Sequence, residues 1–190
     1  MEEGRLEDAN ILVRPHLGYQ GDTERFSSLQ GKAGIAIDTS DKQNHALRDH
    51  FDTSMNHVYN LYNSLYHADV CVNVASTLSL DAAACGTPVI NFNFDAEEGI
   101  ASESSVKRLF VSDYVKHLMA SGGTWLAKSK GEFLEMLQDV LEKGKQKDIQ
   151  KMVQTFMYKL DGKSAERIAD VLLKILNPSA RGGSALGGKS

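Results

Sequence analysis

The sequence predicts an α/β protein built on a doubly wound, Rossmann-like parallel sheet. Short apolar, β-rich runs alternate with longer segments of helical periodicity, the pattern of strands covered by helices on both faces. Residues 69–95, DVCVNVASTLSLDAAACGTPVINFNFD, read as strand, tight turn, small-residue helix, Gly-x-Pro stop and second strand. No internal repeat is visible, and 190 residues suit one ordinary domain with a real core.

The elements follow in order. Residues 1–9 are a charged lead-in, read as the remnant of a linker or a cloning boundary. Residues 10–14 (NILVR) form the first strand, ended by Pro15. After a polar loop over 19–32, residues 33–38 (AGIAID) form the second, followed by an irregular polar stretch to Thr53. Val58, Leu61, Tyr62 and Leu65 recur at helical spacing within 56–67. Tyr59, Tyr62 and Tyr66 share that spacing and read as packing rather than as a base-stacking platform, and His67 as support for the helix end. In the central block, Ser76 and Thr77 cap and open a helix whose Ala82, Ala83, Ala84 and Cys85 allow close approach to the sheet, and Gly86-Thr87-Pro88 stops it.

A serine-rich loop over 99–107 precedes a short helix over 114–119 and a brief strand over 124–127. Ser129 reads as the cap of a helix over 131–142, where Phe133, Met136, Leu137, Val140 and Leu141 form one stripe. One more helix is expected over 148–158. Asp161 or Ser164 begins the last, with Ile168, Val171, Leu172 and Ile175 facing inward and Pro178 ending it. Residues 10–177 thus make one domain, and 178–190 (a Gly/Ser-rich run) a disordered tail.

Composition narrows the function. The net charge of −4 argues against a nucleic-acid partner, yet allows a small basic pocket for one diphosphate. No apolar run approaches the roughly 18–20 residues of a membrane span, and the acidic, polar start is no secretory signal. Cys71 and Cys85 fit no metal or redox spacing, so they read as reduced core thiols of a cytoplasmic protein.

In such a sheet the carboxyl ends of the strands share one edge, where ligands bind. Reading each end gives Arg14 and His16, then Asp38, then Ser76 and Thr77, then Asn93 and Asp95: a polar, partly cationic rim around a helix start. Unpaired amides and the positive dipole end favour phosphate there. Thr77 and Asp81 share a helix face about 6 Å apart in rise, which suits a phosphate at one and ribose hydroxyls at the other. Each residue also has a plainer reading. Ser76 serves as a cap, Asp81 as a solvated charge, Arg14 as partner to a strand-end carboxylate, His16 as a loop residue, and Asn93 and Asp95 as loop shapers.

Residues 68–95 resemble the donor-nucleotide motif of the C-terminal domain of the GT-B superfamily. That superfamily includes surface-glycan glycosyltransferases, CDP-glycerol glycerophosphotransferases and non-hydrolysing UDP-N-acetylglucosamine 2-epimerases. VRPH at 13–16 and LDGKSAERIADVL at 160–172 are similar to further family stretches, so the resemblance covers about residues 10–176. It implies a single donor-binding domain of a glycosyltransferase in surface-glycan assembly, acting on a nucleotide diphosphate sugar or passing on a glycerol phosphate. It places Ala75, Ser76 and Thr77 at the diphosphate, with Ser79 among the substrate-binding positions, and Asp81 at the ribose. The epimerases instead carry a Ser-Gly-Gly turn and a Glu-Glu pair, where this chain has Ala-Ser-Thr and Leu80-Asp81. The alternatives are an epimerase-like isomerase and a non-catalytic scaffold. The resemblance further implies no resident metal or cofactor, an acceptor domain N-terminal to this one, no catalytic residue that can be named within this domain, and no turnover by the isolated piece.

Overall fold

A computed structural model of the protein describes residues 9–15, 25–38 and 54–177. The chain divides into two compact units, residues 1–63 and 64–190. In the first, β1 (Ile11–Val13) and β2 (Ile35–Ile37) pair in parallel, with Ile11 opposite Ile35 and Val13 opposite Ile37. A 3-10 turn at Ser27–Leu29 lies in the preceding loop. The Asp38 N–H donates to the Val13 carbonyl at 2.8 Å, extending the ladder just past both strands.

Helix α1 (Met55–Tyr66) follows, and Leu65 is its buried residue. Tyr59, Tyr62 and Tyr66 are exposed, contrary to the packing role expected of them. Periodicity marks a helix face but does not say how much of that face finds cover.

In the second unit β3 (Cys71–Asn73), β4 (Val89–Phe92) and β5 (Trp125–Ala127) form an all-parallel sheet in the order β3-β4-β5. Cys71 lies opposite Val89, and Ile90 opposite Trp125. The central strand is covered on both faces, with Val89, Ile90 and Asn91 buried. On one face lies α2 (Leu78–Ala84), whose buried Ser79, Ala82 and Ala83 keep the approach close. On the other, Phe133 of α4 (Lys130–Lys143) meets Phe92 and Phe94, with ring centroids 6.4 and 6.5 Å away. Strand alternation explains this: Asn91 reaches Ser79 of α2, while its neighbour Phe92 points the opposite way. The fold is therefore α/β with helices on both faces of a parallel sheet.

Local chemistry sets the boundaries. Gly86 adopts φ +80°, and its N–H and that of Thr87 donate to the carbonyls of Ala83 and Ala82, closing α2 as a Schellman-type end. The Thr87 hydroxyl donates to the Leu65 carbonyl at 2.5 Å, fastening this turn to the end of α1. Ser112 caps α3 (Asp113–Ala120), and Ser129 caps α4 as expected, accepting from the Glu132 N–H at 3.2 Å. The serine-rich loop ends in a 3-10 turn, Val106–Val111.

Met152 and Leu118 are fully buried beside Ala83, with Leu80, Tyr114 and Phe156 packed around them. Met152 ends the short α5 (Gln150–Met152), and a π-helical turn, Val153–Met157, replaces the rest of the regular helix expected there. Thr155 donates its hydroxyl to the Lys151 carbonyl at 2.7 Å, the acceptor its own amide would use in an α-helix. The segment ends in a γ-turn at Tyr158 (φ +62°), closed by the Lys159 N–H on the Met157 carbonyl.

The last helix, α6 (Ser164–Leu176), departs from expectation on its apolar face. Ile168, Val171, Leu172 and Ile175 are 54–62% exposed rather than turned inward. An amphipathic pattern states that a face is suited to burial, not what buries it. Among the described residues, no helix is long and apolar enough to cross a membrane.

Candidate functional site

The corner between β3 and α2 is built by two asparagines that the sequence reading passed over. Asn73 ends β3 and stands opposite Asn91 on β4. Both side chains reach the hydroxyl of Ser79, in the first turn of α2: the Ser79 hydroxyl lies 3.3 Å from Asn73 Oδ1 and 3.4 Å from Asn91 Oδ1. Asn73 Nδ2 donates back to Ser79 Oγ at 3.2 Å. Ser79 is wholly buried, so its hydroxyl braces the corner and has no face for a ligand.

The same asparagines fix the turn backbone. Asn91 Oδ1 accepts from the Ala75 N–H at 3.2 Å, and Asn73 Oδ1 from the Ser76 N–H at 3.4 Å. Ala75 adopts φ +49°, a left-handed conformation that side chains other than glycine enter at a cost. Ser76 Oγ then accepts from the Leu78 N–H at 3.2 Å, so Ser76 caps the helix start and Thr77 does not. Thr77 is left exposed, with its hydroxyl making no capping bond. Asp81 follows one turn later, half-buried. Burial foremost, with the Asp81 carboxylate adding to it, pushes the Cys71 and Cys85 thiols and the Tyr114 phenol above their ordinary ranges. Neither thiol is in a disulfide; Cys71 is buried and Cys85 half-buried.

At the far end of β4, Asn93 donates its N–H to the Ala127 carbonyl at 2.8 Å, while its Oδ1 is buried without a hydrogen-bond partner. Asp95 accepts from the Ser105 hydroxyl at 2.7 Å and the Val106 N–H at 2.8 Å. These two bonds, the hydroxyl first, hold its carboxyl below the usual range. Asp95 thus shapes the loop that follows it.

In the other unit, Arg14 Nη2 sits 2.5 Å from Asp38 Oδ2, with both side chains largely buried. The contact is an ion pair without hydrogen-bond alignment, and Nε too has no hydrogen-bond partner. Arg14 therefore takes the strand-end carboxylate that its plainer reading anticipated. His16 lies outside the described residues. Among the described residues no group of three His, Cys, Asp or Glu side chains is placed to hold a metal ion.

What joins the expected residues is the turn Ala75–Ser76–Thr77 with Asp81 one turn on. The missed residues, Asn73 and Asn91, carried a visible signal: amides inside otherwise apolar strand runs must find hydrogen-bond partners. Residues 1–174 match the family model described as CDP-glycerol:poly(glycerophosphate) glycerophosphotransferase. Neither the curated proteins nor the solved structures contain a significant match.

Proposed function

The chain belongs to the CDP-glycerol:poly(glycerophosphate) glycerophosphotransferase family, and from that premise we propose that its β3–α2 turn forms part of the donor site. The donor is a nucleotide diphosphate carrying glycerol, and the group transferred is glycerol phosphate rather than a sugar. A hydroxyl of the growing polymer attacks the phosphorus that bears the glycerol, the pyrophosphate P–O bond breaks, and CMP departs with the electron pair. The attacking hydroxyl loses its proton to a base that we assign to no residue of this chain. The site's share of the work is to hold diphosphate and ribose and to disperse charge on the departing phosphate.

The observation that carries this reading is the exposed Thr77, set on a turn whose Ala75 and Ser76 N–H groups and Ser76 hydroxyl are already bonded. In the proposed arrangement Thr77 meets the diphosphate and Asp81 receives the ribose hydroxyls. Arg14 is not used, because Asp38 matches its charge. Asn93 contributes at most an acceptor near the glycerol end. We place the acceptor in a separate N-terminal domain, and the whole enzyme in cytoplasmic assembly of a surface polymer. The isolated chain binds donor nucleotide and turns over nothing.

Isothermal titration of the chain with CDP, UDP and GDP tests the assignment. Binding of CDP in preference to the other two is expected; no heat with any of them at ~1 mM ligand, a ceiling already near −4 kcal/mol of binding, overturns it.

A further inference from the structure

Asn91 is, like Ser79, fully buried at 0% exposure, and it sits in a strand whose other residues are apolar. Its Nδ2 is buried without a hydrogen-bond partner, an arrangement that costs free energy relative to a hydrocarbon side chain of similar size. Only its Oδ1 is engaged, and it accepts from two places: the Ala75 N–H and the Ser79 hydroxyl. The first is a side-chain bond to the backbone of a residue in the left-handed region, at φ +49°.

We propose that Asn91 is a positioning residue: it touches no substrate, but holds Ala75 left-handed and so presents Thr77 to the donor. This rests on the donor-site reading given above. An alanine left to itself disfavours that conformation by roughly 5- to 30-fold. When the binding-competent state is only fractionally populated, apparent affinity falls by that fraction. Removing the Oδ1 acceptor therefore weakens nucleotide binding through the turn rather than through lost contact. Glycine at position 75 enters the left-handed region freely, so it makes Asn91 dispensable for binding.

The test compares the full chain with N91L, A75G and the double variant A75G/N91L, using CDP as the probe and amide hydrogen exchange as a second readout. The wild-type Ala75 amide is expected to be protected, and N91L to lose that protection. N91L is expected to bind CDP about tenfold more weakly, and A75G/N91L to regain most of that loss. A role confined to stability would lower the unfolding midpoint of both Asn91 variants and leave no rescue by glycine. N91L binding CDP as the wild type does, or a folded double variant as weak as N91L, overturns the proposal. If N91L does not fold, the series is repeated with N91T, whose β-branched side chain suits a strand but does not extend to the Ala75 amide. A wild-type chain that ignores CDP refutes the donor-site reading instead, and Ala75 exchange still decides whether Asn91 holds the turn.

Discussion

Both carboxylate oxygens of Asp95 are bonded, one to the Ser105 hydroxyl and the other to the Val106 N–H. Its carboxyl is held below the usual range in the fold, so its ionised form favours the folded state. The contribution is fully present above the unfolded carboxylate value near pH 4 and is lost as pH falls through the lowered one. D95N is therefore expected to flatten the acid limb of stability, read as urea midpoints between about pH 2 and 5; an unchanged limb would contradict the assignment. At this scale the sequence was partly legible. A polar residue at a strand end was visible as either ligand contact or loop shaper, and the hydrogen bonds of Asp95 and the ion pair of Arg14 follow the second reading. Ser76 was legible as a cap, and its hydroxyl does accept from the Leu78 N–H.

Elements were legible where punctuation is chemical. Gly86 ends α2 and Ser129 begins α4 because a left-handed residue and a capping hydroxyl are local requirements. The π-helical turn after Met152 was not, since helical periodicity does not distinguish it from a regular turn. Nor was the exposed face of α6, because periodicity does not name a partner. Met152 is the buried anchor of the segment that leads into that turn, packed with Ala83 and Leu118, and its atoms lie 3.0–3.1 Å from where a Cβ on Gly123 would stand. M152A is expected to cost roughly 2–5 kcal/mol by leaving a cavity among α2, α3 and the turn after α5. Urea denaturation checks it: the midpoint falls and the slope holds, whereas an unshifted midpoint would show that Met152 does not anchor these elements.

For the molecule as a whole, fold class came from the simplest signal, short buried strands alternating with helices, and the parallel order β3-β4-β5 agrees with it. The asparagine brace came from pairing across strands, Asn73 opposite Asn91, a register that no single stretch of sequence reveals. The family match ties this scaffold to a nucleotide-linked donor. The most direct measurement is therefore a residue-resolved amide NMR titration of the intact chain with CDP. The largest shifts are expected at Ala75, Ser76, Thr77 and Asp81; shifts centred elsewhere in the chain, or none at millimolar CDP, would contradict a donor site at the β3–α2 turn.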